Sequence, residues 1–311
     1  MCEPHSKNPD GPLLLGIDAG GTRCRARLAD FQGRVLGEGQ GPAANVLSDP
    51  SGAWSSIQQS IRAALQAASL AARPLDDIVS VMGLAGLDPA KPEAPATWPL
   101  SAFRACIIET DAYIALRGAC GDRDGAILIV GTGAVGLLVR GGERTFVGGY
   151  GAAVSDEGSG AWIGREAVRR ALWAYDGRLP RSLLTTRILD KVGEPPAASA
   201  WANDARPGDY AALTPVVFSA ADGGDQQAVD ILKEAAAHLS HILVRLAEAG
   251  AHEVCLMGGL ATVLRPWLKT EAVEIAEPRG TALDGALLLA RELARSRAAP
   301  RTNVVSPPYP A

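Results

Sequence analysis

One outline recurs in this chain and restricts what it can become: an apolar strand, a turn of small residues carrying a threonine, and a second strand. It stands in LLLGIDAGGTRCRARL from residue 13 and again in AILIVGTGAVGLLVRG from residue 126. Apolar runs on either side of a Gly-rich turn read as hairpins. The first half therefore opens with strands over 13–18, 23–29 and 34–39, and the pattern restarts with strands over 126–130, 136–140 and 144–147. Such a repeat implies an internal duplication with diverged turns. At 311 residues the chain is long enough for two domains, each burying its own core.

The second turn contains a literal Gly-x-Gly-x-x-Gly at Gly131, Gly133 and Gly136. A dinucleotide-binding turn must open a helix, with an acid about 20 residues on. Here Gly136 leads into LLVRGGERTFV, where two further glycines exclude a helix, so a Rossmann fold is excluded. No Gly-Lys-Ser/Thr occurs and the five lysines lie outside the Gly turns, so there is no P-loop. What remains is a pair of hairpin turns whose bare backbone N–H groups and threonine hydroxyls can approach a phosphate. Asp18 lies beside Gly20, Gly21 and Thr22. A carboxylate there would repel phosphate unless a divalent cation stood between, so Asp18 implies Mg²⁺, held partly through water.

Between the hairpins, apolar positions from Trp54 recur at helical spacing, 78–84 reads as a buried strand, and a Pro-rich loop over 89–99 is placed to cover a cleft. A strand over 105–109 leads to Asp111, which stands where a helix N-cap belongs. The second half is mostly helical. Its longest helix starts at Asp225 as N-cap and stops at Gly250; strands follow over 253–257 and 273–275, and a last helix over 281–296. The tail after Ala298 reads as loose.

A net charge of −4 gives no basic surface for nucleic acid or anionic lipid, and neither is expected as a partner. No apolar stretch reaches about 18 residues and the N-terminus lacks an export pattern. The five cysteines (2, 24, 106, 120 and 255) are scattered without any Cys-x-x-Cys, so a reducing cytoplasm is the expected location.

GIDAGGTRCRARL resembles the first phosphate motif of the actin-like ATPase and sugar kinase superfamily, and GTGAVG resembles its second. ETDAYIAL, GGYGAAVSDEGSGAWIG and CLMGGLATVLRPWL are similar to the bacterial glucosamine kinases and to the N-acetylglucosamine kinases, within the group that holds the BadF/BadG/BcrA/BcrD ATPases. The resemblance runs from about Leu13 to Leu289. It implies an α/β fold of two ribonuclease H-like (actin-like ATPase) domains with mixed sheets and a ligand cleft between them. The expected boundaries are 12–120 for the first lobe, 121–297 for the second with a helical insertion, and 298–311 for the tail.

By resemblance Asp111 is the catalytic base that takes the proton of a sugar 6-hydroxyl, Asn45 binds a sugar hydroxyl, and Asp156 is a second sugar-binding carboxylate. Gly149 and Gly151 would let that loop's backbone reach the sugar. Gly20, Gly21, Thr22, Gly131, Thr132 and Gly133 are the expected contacts to ATP phosphates. Gly258 and Gly259 are expected against adenosine, and Tyr210 and Ala211 by a weaker similarity. Plainer readings stand beside these: Asp111 and Asp156 as helix caps, Asn45 as a turn residue, Gly258-Gly259 as a helix entry. His238 and His241, three apart on the long helix, have metal-ligand spacing but no third ligand, and read as ordinary helix residues. Arg23, Arg25 and Arg27 alternate along a strand and read as a solvated face.

Two departures from the family pattern stand out. Ala134 replaces the usual serine of the second phosphate turn, and Val46-Leu47 stands where animal N-acetylglucosamine kinases carry His-Trp and the bacterial glucosamine kinases carry aliphatic residues. The expected activity is ATP- and Mg²⁺-dependent phosphorylation of glucosamine at its 6-hydroxyl. N-acetylglucosamine is the alternative substrate, and a BadF-type activating ATPase and a sugar-sensing regulator are lesser alternatives. A homodimer is left open.

Overall fold

The computed structural model describes residues 11–88, 93–296 and 304–305. Two compact units divide it: the described residues of Met1–Arg123 with those of Pro278–Ala311, and Asp124–Glu277. No helix among the described residues is long and apolar enough to cross a membrane.

The first unit begins with an antiparallel meander, β1 (Leu13–Ala19), β2 (Cys24–Ala29) and β3 (Val35–Gly41). Helix α1 (Pro50–Ala67), capped by the Asp49 side chain accepting from the Gly52 N–H, carries the chain back to β4 (Ile78–Leu84), parallel to β1. Next come β5 (Ala105–Thr110), parallel to β4, and α2 (Asp111–Cys120).

The second unit repeats the meander as β6 (Gly125–Val130), β7 (Ala134–Arg140) and β8 (Glu143–Gly148). A helical stretch follows: α3 (Gly160–Tyr175), α4 (Leu183–Val192), α5 (Ala197–Asp204), α6 (Pro207–Ala211), α7 (Thr214–Asp222) and α8 (Gln226–Glu248). Then β9 (Glu253–Met257) pairs parallel with β6, α9 (Ala261–Leu264) follows, and β10 (Glu274–Ala276) pairs parallel with β9. Finally α10 (Ala282–Arg295) and β11 (Val304–Val305) join the first unit.

The sheets run β11-β5-β4-β1-β2-β3 and β10-β9-β6-β7-β8. Leaving β11 aside, they share one order and one sense at every pairing, so the duplication in the sequence is a duplication of architecture. In each, tight turns give the antiparallel half, while the parallel return needs a helical crossover: α1 in one unit, α3 to α8 in the other.

Both faces of the first sheet are covered. On one, β3 presents Gly37, Gly39 and Gly41 to α1. A Cβ at these positions would lie 2.4, 2.1 and 2.4 Å from the carbonyls of Ala64, Ser60 and Ser56. Two strand residues advance about 6.6 Å and four helix residues about 6 Å, so strand and helix stay in step and backbones touch. The described part of the Pro-rich loop packs on this layer: Trp98 is buried and its ring lies 5.0 Å from that of Trp54. Residues 89–92 and the tail, apart from the β11 backbone, lie outside the described residues.

On the other face lie α2 and α10. They meet at two glycines: a Cβ at Gly118 would stand 1.9 Å from the Thr281 carbonyl, and one at Gly285 2.0 Å from that of Ile114. This contact draws α10 into the first unit, whereas the sequence places it with the second lobe. The same face corrects the arginine stripe. Only Arg23 is solvent-exposed; Arg25 pairs with Asp18, and Arg27 bridges Glu38 and Asp284 of α10.

Candidate functional site

In the first unit the candidate residues gather at the carboxyl ends of parallel strands, the usual ligand end of an α/β sheet. Asp18, Gly83 and Glu109 share one row across β1, β4 and β5. With strands about 4.8 Å apart, Asp18 and Glu109 are about 10 Å apart at Cα, and Glu109 is buried. The turn after β1 closes through Gly20 N–H to the Arg23 carbonyl, 3.1 Å, and leaves Gly21 and Thr22 exposed. The Asn45 segment is tied to this end by two backbone bonds, Ala44 N–H to the Gly20 carbonyl and Val46 N–H to the Ala85 carbonyl, both 3.0 Å. The Asn45 side-chain oxygen accepts from the N–H groups of Leu47 (3.0 Å) and Ser48 (3.1 Å), so the turn role is real.

Asp111 is not an N-cap. Thr110 takes that position with an extended backbone, and its hydroxyl oxygen accepts from the Tyr113 N–H. Asp111 is the first residue of α2, half-buried, its Oδ1 accepting from the Ala112 N–H at 2.8 Å. The partial positive charge of the helix start favours a carboxylate there. Asp156 is not a cap either: the α3 cap is Ser159, whose hydroxyl oxygen accepts from the Trp162 N–H.

In the second unit three of the candidates form one turn, residues 131–133, and four more, Gly149, Asp156, Ala211 and Gly258, lie around it. Gly131 N–H donates to the Gly133 carbonyl at 2.9 Å, and the start of α3 clasps the turn through Gly160 N–H to Gly131 and Ala161 N–H to Thr132, 2.8 and 3.1 Å. The Asp156 carboxylate accepts from the N–H of Ala134 at 3.4 Å and from that of Gly151. Gly258 has φ +92 and lies so close to the end of β6 that a Cβ would be 2.4 Å from the Val130 carbonyl; only glycine accepts both conditions. Ala211 touches the same corner: its Cβ would be 3.1 Å from one on Gly160. Gly149 is held against Val135, beside the turn. Burial drives the Asp156 carboxyl above its ordinary range, with Glu157 adding to the effect and the two N–H groups and Arg165 opposing it.

Ala134 donates its backbone N–H to Asp156. Its side chain is buried in the cluster that holds Val130 and Leu138, so a hydroxyl at this position would start from the core side, while the N–H it gives Asp156 is independent of residue type.

Among the described residues no group of three or more His, Cys, Asp or Glu is placed to hold a metal ion. His238 instead packs edge-on to Trp162, ring centres 5.3 Å apart. Asp18 is a single carboxylate, 13% exposed. Mg²⁺ is commonly held by one or two carboxylates plus substrate phosphates, so Asp18 fits a cation that arrives on phosphate.

Three contributions are absent from the sequence reading, which takes Arg25 only as part of a solvated face. Arg25, the partner of Asp18, follows from hairpin register, since the two are equally far from the turn. Gly86, at φ +79, leaves room for the Asn45 side chain. Arg165 donates to the Ala152 carbonyl at 2.6 Å and anchors the loop before Asp156; neither this nor Gly86 has a local sequence signal.

The profile of the BadF/BadG/BcrA/BcrD ATPase family matches residues 15–290. The glucosamine kinase GspK of Vibrio cholerae is 34% identical over 278 residues, 89% of this chain and 95% of that protein. The N-acetylmuramic acid/N-acetylglucosamine kinase of Clostridium acetobutylicum is 30% identical, with 73% and 76% covered. A solved Chromobacterium violaceum protein, described as a candidate N-acetylglucosamine kinase, matches with TM-score 0.81 at 33% identity over 91% of this chain and all of its own. A ROK-family glucokinase from Streptomyces griseus, TM-score 0.53 at 20% identity, shares the fold. The fold is that of the actin-like ATPases, as the motifs imply. On the family profile and the extent of the first relative together, the chain belongs to the BadF/BadG/BcrA/BcrD ATPase family.

Proposed function

We propose that the protein is an ATP-dependent amino-sugar kinase that converts glucosamine to glucosamine 6-phosphate. One observation carries this: 34% identity to a glucosamine kinase over 95% of that enzyme's length. Asp111 would accept the proton of the 6-hydroxyl as that oxygen bonds to the γ-phosphorus and the bond to the β-phosphate oxygen breaks, releasing ADP. Asn45 and Asp156 would orient the sugar by its hydroxyls, with the Gly149 backbone beside them. The turns at Gly20–Gly21–Thr22 and Gly131–Thr132–Gly133 would meet phosphates through N–H and hydroxyl donors, and Ala211, Gly258 and Gly259 would flank adenosine. Mg²⁺ would be held by Asp18 and would neutralise the phosphates. A nucleotide-dependent role accords with a cytoplasmic location.

The test is ADP release with glucosamine, N-acetylglucosamine and glucose in parallel. Glucosamine-stimulated turnover is expected, and no stimulation by any sugar removes the proposal. Asp111→Asn should abolish transfer while nucleotide still binds; retained turnover takes the base role from Asp111. N-acetylglucosamine is the second reading, favoured by the Clostridium relative, whereas aliphatic Val46-Leu47 favours the free amine. An activating ATPase would need reactive cysteines for an iron–sulfur cluster. Burial instead pushes the thiols of Cys24 and Cys106 up to about 11 and about 12. Sugar binding without any transfer would mark a sensor instead.

A further inference from the structure

Asp156 does more in the structure than a sugar ligand requires. Its backbone is left-handed at φ +61, a conformation non-glycine residues enter at some cost. That conformation turns its carboxylate over the second phosphate turn: a Cβ on Gly133 would lie 3.0 Å from Oδ2 and 3.3 Å from Cγ. The carboxylate accepts from Ala134, the residue that ends the turn, and from Gly151, in the loop that also carries Gly149. The loop is held from its other side by Arg165 through the Ala152 carbonyl. One side chain therefore joins the phosphate turn to the loop proposed to meet the sugar.

We propose that Asp156 is a positioning residue for the second phosphate turn, and that a sugar seated on its carboxylate raises the affinity of that turn for nucleotide. The sugar half rests on the kinase reading above; the brace does not. An ionised carboxylate offers about four acceptor sites, and two are taken by N–H groups, which leaves room for sugar hydroxyls without breaking the brace. Hydroxyls donated to a desolvated carboxylate keep it ionised and still, and so strengthen its hold on the Ala134 and Gly151 N–H groups. Thermodynamic linkage makes the effect reciprocal: nucleotide must raise sugar affinity by the same factor.

Titration calorimetry with a non-hydrolysable ATP analogue and Mg²⁺, with and without glucosamine, tests this on the whole chain. In the wild type, glucosamine should tighten nucleotide binding several-fold; independence of the two ligands overturns the coupling. Asp156→Gly removes the carboxylate yet suits φ +61, and without sugar it should bind nucleotide about five- to tenfold more weakly, the value of one or two hydrogen bonds. Asp156→Asn keeps an acceptor and tolerates the left-handed backbone, so it should restore sugar-free nucleotide affinity while losing the gain with glucosamine. A residue that only touches sugar would leave sugar-free nucleotide binding unchanged in all three proteins, and that result overturns the brace. If glucosamine binds Asp156→Asn as tightly as the wild type, the sugar role of Asp156 fails, and the sugar-free titration still decides the brace.

Discussion

Arg25 and Asp18 face each other across the first hairpin, and their pairing has a stability consequence. Asp18 is 13% exposed and Arg25 32%. Removing one partner of a buried pair leaves the other charge uncompensated. With this pair partly exposed, Arg25→Met should cost about 1–3 kcal/mol, below the range for a fully buried pair. A urea unfolding midpoint measures it, and adding Asp18→Asn should recover part of the loss. Asp225 gives a pH dependence. Burial alone would raise its carboxyl, but the Leu184, Ala228 and Gln227 N–H groups and the Ser182 hydroxyl together hold it below the ordinary range. A carboxyl depressed in the folded state stabilises fully above its unfolded value, about 3.9, and the benefit is lost as pH falls through the folded value. Asp225→Asn should therefore flatten the fall of the unfolding midpoint between pH 5 and 2; an unchanged acid limb would show that those bonds carry no linkage. At this scale, capping was legible where it is local, as at Asp225. The settings of Arg25 and Arg27 are not legible because alternation tells which residues share a face and not what covers it; of the two partners of Arg27, Asp284 lies 257 positions along the chain.

Close backbone contact between elements makes specific glycines irreplaceable. Gly285→Ala would drive a methyl group into the Ile114 carbonyl of α2, and overpacking of this kind typically costs about 1–3 kcal/mol. Because α2 begins with Asp111, the variant should also lose kcat with little change in the sugar KM, as differential scanning fluorimetry and initial rates would show. Arg165→Met releases the loop carbonyl of Ala152 and should do the reverse, raising the sugar KM several-fold with unfolding temperature nearly constant. Strands and the long helix were legible as elements, since periodicity is a local property. The glycine seams of α1 with β3 and α2 with α10 were not, because a small residue in a sequence does not announce which distant backbone it admits.

The first unit is assembled from both ends of the chain, with the second unit inserted between. A chain ended after Glu277 would lack α10, which buries Ala286, Leu287 and Ala290 with Leu14, Val79 and Val81. Such a truncation should lose the first unit's proteolytic protection while fragments of Asp124–Glu277 survive; equal resistance of both units would contradict this assignment. The duplication was readable in the sequence, since it repeats a hairpin outline, whereas the return of α10 was not, since nothing local marks a helix as belonging to strands laid down far upstream.

The two copies are unlike at one cross-strand position. Beside the first turn Asp18 faces Arg25, while beside the second the corresponding row is Ile129 and Val135. A duplicated scaffold with identical hairpins would have no preferred polarity. With a charged couple beside one turn and two aliphatic side chains beside the other, the repeated hairpins offer different surroundings to whatever meets their bare amides, so the two halves of the duplication are not interchangeable.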